Sequence, residues 1–256
     1  MHRIVLAVTL AAAPAALAQR ETLPSFEVAS VKFCPPPDQP SRSNRRVDPQ
    51  LLSLKCYSLK WMIMEAFNVE GLDMFRVTGG PGWVDMDYWD VEARAAQPAS
   101  RDEIKLMLRS LLADRFQLKY HVETKLVLNY VLTVAKGGPK FGPVFQEVKE
   151  GDPPIDRSKQ PQGRSVFANA PFKQFVGILR PWMTRDPLTG KFSSVTDVPP
   201  IIDETGLTGR YNIVFDSRSD EDWAATLERQ LGLRLTERKV PTDIYVIDSA
   251  AKPSGN

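Results

Sequence analysis

The sequence is short of the residues that most catalytic and metal-binding sites require. Its 256 residues include two histidines, and one of them, His2, lies in an apolar N-terminal stretch. The other, His121, cannot form a zinc site by itself, and the chain has no H-E-x-x-H sequence. No G-x-S-x-G sequence supplies a serine nucleophile to work with this histidine. We therefore expect His121 to be an ordinary strand residue, and we predict neither a catalytic residue nor a metal site.

A phosphate-binding loop is also missing. The segment 79–82, Gly-Gly-Pro-Gly, is rich in glycine, but no Lys-Ser or Lys-Thr pair follows it. The nearby acidic residues Asp85, Asp87 and Asp90 lack the spacing and the closing glutamate of a calcium loop. We expect a tight turn at 79–82 and a solvated turn around the acidic residues, and we predict no cofactor.

Strong charge of one sign and a second long apolar run are absent as well. The net charge is only +2, which gives no electrostatic footprint for nucleic acid. After the N-terminal stretch no segment is long and apolar enough to cross a membrane. Because 43% of the residues are hydrophobic, the chain can still bury a core. We predict a globular chain with no nucleic-acid partner and no transmembrane segment in its mature part.

The first residues have the order of a secretory signal peptide. Arg3 supplies a basic start, residues 4–17 are apolar, and the segment 16–18, Ala-Leu-Ala, is an A-x-A cleavage site. An N-terminal membrane anchor is the alternative, which the short span and Pro14 disfavour. We predict a signal peptide over residues 1–18 and export to the periplasm or out of the cell.

Both cysteines, Cys34 and Cys56, follow this signal. Two thiols in an exported protein usually pair, and closing a loop of roughly 20 residues stabilises a fold by about 3 kcal/mol. The intervening segment is rich in proline and basic residues and would not readily order itself. No C-x-x-C sequence is present. We predict a structural disulfide, with a metal pair or redox-active thiols as the alternatives.

An internal repeat is the main sign of domain organisation. Five pairs of segments match in the same order in the two halves: 59–63 with 172–176, 77–83 with 201–207, 89–92 with 211–214, 116–120 with 231–235, and 130–132 with 245–247. We predict an α+β fold of two similar units in tandem, each a small, mostly antiparallel sheet covered by two helices. The units are 19–140 and 166–256, with a linker or long loop at 141–165.

Local patterns locate the elements of each unit. Apolar residues at helical spacing predict helices at 59–67 and at 172–179, the second ending before Pro181. Ser100 and Glu103 form a capping box that opens a further helix, and a similar start at 219–222 opens its counterpart. The predicted strands are 26–32, 75–82, 89–93, 117–123, 129–135, 200–206, 211–215, 234–238 and 243–248. An insertion at 184–197 in the second half predicts a mobile loop.

Trp83, Tyr88 and Trp89 form the densest aromatic cluster of the chain. Core packing is the default interpretation for aromatic residues beside a strand. Part of such a cluster can instead form an exposed binding face. We therefore retain these three residues as a possible binding face.

Several of these segments together resemble an exported protein family of unknown function. The segments are 26–32, 79–83, 108–116, 135–139 and 203–211, and the resemblance covers nearly the whole mature chain. The family is expanded as paralogues in soil acidobacteria, above all in Solibacter, and the insertion at 184–197 is longer than its pattern. The resemblance implies export and a two-unit α+β architecture, but no activity. Related domains joined to membrane-bound peptidase sensors imply a sensing or binding role outside the cytoplasm.

Three functions are compatible with these observations. The leading hypothesis is a periplasmic or secreted binding module without catalysis, which recognises an envelope protein or an extracellular ligand through a sheet edge or the aromatic turn. The second is a hydrolase of peptides or glycans that uses His121 or a pair of carboxylates. The third is a structural component of the envelope.

Overall fold

The computed structural model describes residues 23–35, 44–153, 155–160, 162–184, 194, 198–216 and 222–254. The predicted signal peptide lies outside the described residues, as does most of the predicted insertion at 184–197. No helix within the described ranges combines the length and the apolar character needed to cross a membrane.

Helices and strands are mixed along the described chain. The helices are α1 (Leu59–Ala66), α2 (Trp83–Met86), α3 (Arg101–Arg115), α4 (Phe172–Trp182) and α5 (Trp223–Leu231). The strands are β1 (Val28–Cys34), β2 (Asn44–Asp48), β3 (Leu51–Ser58), β4 (Val77–Gly79), β5 (Tyr88–Arg94), β6 (Lys119–Val134), β7 (Phe145–Glu147), β8 (Ser165–Pro171), β9 (Ile201–Asp203), β10 (Arg210–Phe215) and β11 (Leu233–Ser249). Short 3₁₀ turns span Gly71–Arg76 and Arg157–Lys159.

The capping box predicted at the start of α3 is confirmed. The Glu103 main-chain N–H donates to Ser100 Oγ (3.2 Å), and the Ser100 N–H donates to Glu103 Oε2 (2.7 Å). Two N–H groups that would lack a helical partner are thereby satisfied. The helix then buries Ile104, Leu108 and Leu112 against the core, as their spacing predicts.

Helix α4 is longer than its prediction. The sequence predicts an end before Pro181, but the helix continues through Trp182 with the proline in its last turn. The Met183 N–H still donates to the Leu179 carbonyl (2.9 Å). The proline therefore removes a single hydrogen bond close to the helix end, where main-chain groups already lack partners.

The strands form three sheets. The first sheet has the order β1-β5-β3-β2, the central sheet β4-β11-β6-β9, and the third sheet β7-β10-β8. Neighbouring strands are antiparallel, apart from β4 beside β11 and β9 beside β6, which are parallel. The predicted α+β class with mostly antiparallel sheets is confirmed.

The structure has two hydrophobic cores, and the central sheet contributes residues to each of them. The first sheet, α1 and α3 surround one core, which we call the first lobe; the third sheet, α4 and α5 surround the other, the second lobe. Fully buried side chains in the two cores include Leu54, Met62 and Leu108, then Phe145, Phe175 and Phe215. The central sheet contributes to both cores, with Ile247 in the first and Leu132 in the second.

The central strands correct the sequence prediction. Two strands are predicted in each half: 117–123 and 129–135, then 234–238 and 243–248. Instead each half contributes one continuous strand, β6 or β11, and the two pair antiparallel along almost their full length. Residues 124–128, Thr-Lys-Leu-Val-Leu, contain no glycine or other turn residue that would end a strand.

Two hydrogen bonds to the residues that flank β9 show which main-chain N–H and C=O groups of β6 and β11 point out of the β6–β11 pair. The Tyr130 N–H donates to the Pro200 carbonyl (2.8 Å), and the Leu132 carbonyl accepts from the Glu204 N–H (2.9 Å). The main-chain N–H and C=O groups of the even-numbered residues of β6 therefore point away from β11. Opposite residues of an antiparallel pair behave alike, so the odd-numbered residues of β11 point away from β6. Pro241 is one of these, and it removes no hydrogen bond from the pair.

The short strands β4 and β9 occupy corresponding places at opposite edges of the central sheet. Val77 of β4 lies opposite Tyr245 of β11, and Ile201 of β9 lies opposite Tyr130 of β6. Each short strand pairs with the long strand from the other half of the chain. Both are shorter than predicted, and the 3₁₀ turn Gly71–Arg76 takes up the start of the first.

Cys34 and Cys56 lie at disulfide distance, as the sequence predicts. Cys34 ends β1 and Cys56 belongs to β3, with β5 between the two strands, and their Cα atoms are 5.5 Å apart. A register shift between Leu54 and Tyr57 accompanies a φ of 52° at Cys56. This bulge lets Cys56 reach Cys34 across β5. The freed Cys56 N–H donates to Asp90 Oδ1 (2.9 Å).

Strands β1 and β7 correspond to two further predictions from the sequence. The strand predicted at 26–32 is β1, displaced by two residues. The segment predicted as a linker or long loop, 141–165, includes β7, which pairs with β10 of the third sheet. Phe145 of β7 is fully buried in the second core.

Candidate functional site

A cleft of about 740 Å³ lies between the two lobes beside the central sheet. Residues of the 3₁₀ turn Gly71–Arg76, of α4, and of β6, β9 and β11 line it. Charged side chains of both signs are present: Glu70, Asp73, Arg76, Lys173, Arg180, Asp203 and Asp243. Apolar lining comes from Leu72, Phe75, Val176, Ile201, Ile202 and Val240. Because ligand sites favour concave junctions between packed units, this cleft is the candidate site.

A buried ion pair holds the two sides of the cleft together. Arg180 of α4 is 6% exposed, and its Nη1 donates to Asp73 Oδ1 in the 3₁₀ turn. The Arg180 Nε donates to the Val198 carbonyl (2.9 Å), just before β9. One side chain therefore ties α4 to the segments that lead into β4 and β9. Removing one partner of such a pair leaves an uncompensated buried charge.

Arg76 fixes the end of the 3₁₀ turn against β11. Its Nε donates to the Asp243 main-chain carbonyl (3.0 Å), and its guanidinium lies 6.0 Å from the centroid of the Tyr245 ring. The Asp243 carboxylate in turn accepts a hydrogen bond from Thr124 Oγ1 of β6 (3.1 Å). These contacts orient both charged groups at the edge of the cleft.

Gly177 leaves the helix backbone of α4 open to the cleft. It lines the cleft, and a Cβ added to it would meet no atom within 4 Å. Glycine inside a helix costs about 1 kcal/mol relative to alanine. Neither close packing nor a left-handed backbone requires a glycine here. The missing side chain widens the cleft at the middle of its helical wall.

Three of the four carboxylates of the cleft, all but that of Glu70, are engaged in structural contacts. Asp73 pairs with Arg180, and Asp203 accepts hydrogen bonds from the Thr205 N–H (3.0 Å) and hydroxyl (2.7 Å). Among the described lining residues there is no serine, cysteine or histidine to act as a nucleophile or base. What the described lining offers to a ligand is charge of both signs and apolar surface, which suits binding.

A smaller pocket of about 350 Å³ lies on the first lobe. Its lining includes Tyr57, Trp61 and Lys105, and an Arg45–Glu65 ion pair (3.1 Å) lies at its rim. Burial raises the pKa of the Tyr57 hydroxyl, and the nearby Glu65 carboxylate adds to the rise. The pocket is half the size of the cleft and belongs to one lobe alone.

His121 lies on the exposed surface of β6. Its Nδ1 is 2.7 Å from Asp248 Oδ1, and its Nε2 is 3.4 Å from Glu123 Oε1. The hydrogen bond with Asp248, followed by the one with Glu123, raises the pKa of His121. An imidazole beside a carboxylate gives two of the three members of a catalytic triad, but here both ring nitrogens face carboxylates. The described surroundings of His121 thus offer it no nucleophile.

The three aromatic residues of the possible binding face divide between core and surface. Trp89 is 3% exposed and packs edge-on against Phe116, with ring centroids 5.2 Å apart. It is a core residue and cannot itself contact a partner, which corrects its place in the predicted face. Trp83 and Tyr88 are half-buried. More exposed apolar side chains of this region are Met86 and Phe33, neither of which the sequence indicated.

The glycine turn predicted at 79–82 is confirmed in its first two residues. Gly79 and Gly80 have φ values of 78° and 77°. A Cβ on Gly79 would lie 2.8 Å from the Ile247 carbonyl oxygen, so glycine is required where β4 approaches β11. The close approach of the two strands accounts for the glycine without a bound cofactor.

The acidic residues after this turn contact separate partners. Asp85 pairs with Lys60 (3.4 Å), and Asp90 accepts from the Cys56 N–H. Donor atoms of Cys34, Cys56 and Asp90 lie within 4.8 Å of one another, but the two sulfur atoms are joined to each other. A structural role accounts for these contacts.

The cleft itself was not found by sequence reasoning. Asp73 and Arg180 are far apart in the chain, and each looks like an ordinary surface charge when read locally. Gly177 was the available signal, because it interrupts an otherwise strong apolar helix pattern without a turn.

Comparison with known protein families gives one match. Residues 60–250 match DUF3738, described as a protein of unknown function. No curated protein and no solved structure matches the chain. Because the family match covers well over half of the sequence, the chain belongs to the DUF3738 family.

Proposed function

We propose that this DUF3738 protein is an exported, non-catalytic binding module that takes a peptide-like ligand in the cleft between its lobes. The observation that carries the proposal is Gly177. A glycine in mid-helix lowers helix stability by about 1 kcal/mol, and no packing contact requires it. An open helical wall on this cleft is consistent with a surface kept free for a ligand.

The chemistry of the lining favours a peptide over a simple anion or a lipid. Arg76 and Lys173 offer positive charge, whereas Glu70 and Asp203 offer negative charge. Apolar side chains separate these groups, and a cleft of about 740 Å³ falls within the range of small-ligand sites. A short peptide segment carries the same mixture of charge and apolar surface. It would come from an envelope protein or from an extracellular ligand.

Export is part of the proposal. The basic start, apolar stretch and A-x-A site at residues 1–18 support it, and a cysteine pair at disulfide distance fits an oxidising compartment. The implied kinship with soil acidobacterial paralogues and with the domains of membrane-bound sensors fits the same role in binding or sensing.

We also propose that the chain consists of two similar α+β units, at 19–140 and 166–256, joined by the segment 141–165. The sequence repeat relates Val77 to Ile201 and Tyr130 to Tyr245. The strand pairs Val77–Tyr245 and Ile201–Tyr130 are related by the same correspondence. Such units would exchange their short strands within one central sheet rather than stand apart.

The test of the cleft uses a selected peptide and a matched pair of variants. Random peptides displayed on phage are selected against the purified protein, and a selected peptide is labelled and titrated by fluorescence anisotropy. Gly177→Ala should weaken binding only about two- to threefold, because a methyl group narrows the cleft slightly, and it should raise the free energy of unfolding by about 1 kcal/mol. Gly177→Trp should fill the cleft and weaken binding by at least about tenfold.

Two outcomes would contradict the proposal. One is that no peptide is selected; the other is that Gly177→Trp, folded by its thermal melt, binds as tightly as Gly177→Ala. Cleavage of the bound peptide that His121→Ala abolishes would instead support the hydrolase of peptides.

A further inference from the structure

Part of the outer edge of β6 has no neighbouring strand among the described residues. The strand β9 pairs with β6 at Tyr130–Leu132, and in the described residues no strand pairs with this edge over 120–128. Even-numbered residues direct their main chain outward, as the hydrogen bonds of Tyr130 and Leu132 establish. The edge therefore presents free N–H and carbonyl groups in the pattern that another strand would use.

Apolar side chains follow this open edge. Val122 is 48% exposed, Leu126 67% and Leu128 39%. All three are even-numbered, so they share one face of β6. Exposed apolar residues next to free main-chain groups are the features of a surface that accepts a strand.

The sequence of this edge is complementary to itself. Consider two β6 edges paired antiparallel, with Thr124 of one copy opposite Thr124 of the other. Every even-numbered residue then lies opposite an even-numbered residue of the partner subunit. The N–H and C=O groups of these residues point outward, so the two edges can form hydrogen bonds with each other. Val122 would then lie opposite Leu126 of the partner subunit. On the other face, Glu123 would lie opposite Lys125 of the partner subunit, and the two-fold axis repeats this contact.

We propose that β6 pairs antiparallel with β6 of a second copy of this chain, with the two-fold axis at Thr124. The two central sheets then form one continuous sheet across the dimer. Charge complementarity favours a second copy, because a matching strand must carry lysine and glutamate in the order of Lys125, Thr124 and Glu123, and the chain itself supplies that order. Within one chain Lys125 Nζ already contacts Glu123 Oε2 (2.7 Å), so the dimer would bring two such ion pairs together. The cleft and Gly177 are not part of this surface.

The first test is a crosslink at the axis. Thr124→Cys would bring two thiols to the same place, since opposite residues of a hydrogen-bonded antiparallel pair lie about 5.5 Å apart at Cα. Both native cysteines are paired, so the introduced thiol is the free one. A short bis-maleimide should convert most of the protein to a covalent dimer. Glu237→Cys, at the outer edge of β11, is the control and should stay monomeric on the gel.

The second test exchanges charges across the axis. Lys125→Glu alone and Glu123→Lys alone should each raise the dimer dissociation constant about tenfold, because the symmetry counts each change twice. The double variant, with both charges exchanged, should dimerise as the wild type does. A mixture of the two single variants should form the heterodimer in preference.

Sedimentation velocity over a range of concentrations reads out the charge exchange and the association of the wild-type chain. A wild-type chain that sediments as a monomer at all concentrations up to about 100 μM would overturn the proposal. A dimer that the charge variants leave unchanged, and that Thr124→Cys does not crosslink, would overturn it equally, because the copies would then meet elsewhere. Neither result bears on the binding of a peptide in the cleft.

Discussion

The outer edges of β6 and β11 belong to strands that pair with each other over nearly their whole length, yet their side chains differ. Exposed leucine and valine follow the β6 edge, whereas Glu237, Lys239 and Pro241 follow the β11 edge. Lysine and proline are the residues with which sheets block an unwanted extra strand. The same backbone geometry thus carries one blocked edge and one open edge, and side chains alone make the difference.

The two edges also share a feature. Each edge is covered at one end by a short parallel strand, β4 on β11 and β9 on β6. The 3₁₀ turn Gly71–Arg76 leads into β4, and residues 198–200 lead into β9. Arg180 contacts both segments, through Asp73 and through the Val198 carbonyl. One buried side chain therefore contacts the covering segments of both edges and also lines the cleft.

Removing this shared anchor should have the largest effect. Asp73→Ala leaves the Arg180 charge buried without a partner, and we expect the free energy of unfolding to fall by about 3 kcal/mol. Asp85→Ala removes an exposed ion pair with Lys60 and should change stability by less than about 0.5 kcal/mol. Urea unfolding of both variants measures the difference. Equal stabilities would show that the ion pair does not hold the two segments.

Placing a proline on the β6 edge, like the one on the β11 edge, should have the next largest effect. Leu126→Pro removes an outward N–H, so it should weaken the dimer on the order of 100-fold while changing monomer stability by less than about 1 kcal/mol. Val127→Pro is the matched control: its N–H faces β11, and its loss should destabilise the fold by about 3 kcal/mol. Analytical ultracentrifugation and urea unfolding separate the two effects. A dimer that tolerates Leu126→Pro would show that β6 is not its interface.

The reverse change should remove the block from β11. Pro241→Leu restores an outward N–H at that edge and adds an apolar side chain, so we expect a second, weaker association about tenfold less favourable than the first. Light scattering at high concentration should show species larger than a dimer. If the variant stays dimeric, the charges of Glu237 and Lys239 block the edge without the proline.

The smallest effect concerns His121, whose repeat counterpart in β11 is Thr236. Asp248 and Glu123 raise the pKa of His121 above its ordinary value of 6.5. Its stabilising contribution is then fully present below pH 6.5 and is lost as the pH rises through the folded pKa. Asp248→Asn should lower this pKa in an NMR titration. Its melting temperature should fall below that of the wild type more at pH 6 than at pH 9, and an equal difference at both would contradict this.

Local features of this chain were predicted well from sequence, and contacts between distant segments were not. The Ser100–Glu103 capping box depends on four neighbouring residues, and the cysteine pair follows from the number of cysteines and the predicted compartment. The continuity of β6 was missed because 117–123 and 129–135 each have the usual length of a strand, whereas β6 with its 16 residues is longer than most strands. The Asp73–Arg180 pair could not be predicted, since no local pattern distinguishes a charge that will be buried.

Hydrogen–deuterium exchange of single amides tests the contrast between the two edges most directly. At concentrations well above the dimer dissociation constant, the amides of Val122, Thr124 and Leu126 should be protected, and dilution to monomer should make them exchange fast. The amides of Glu237 and Lys239 should exchange fast at every concentration. Equal exchange at the two edges, or protection that does not depend on concentration, would contradict an open β6 edge closed by a second copy.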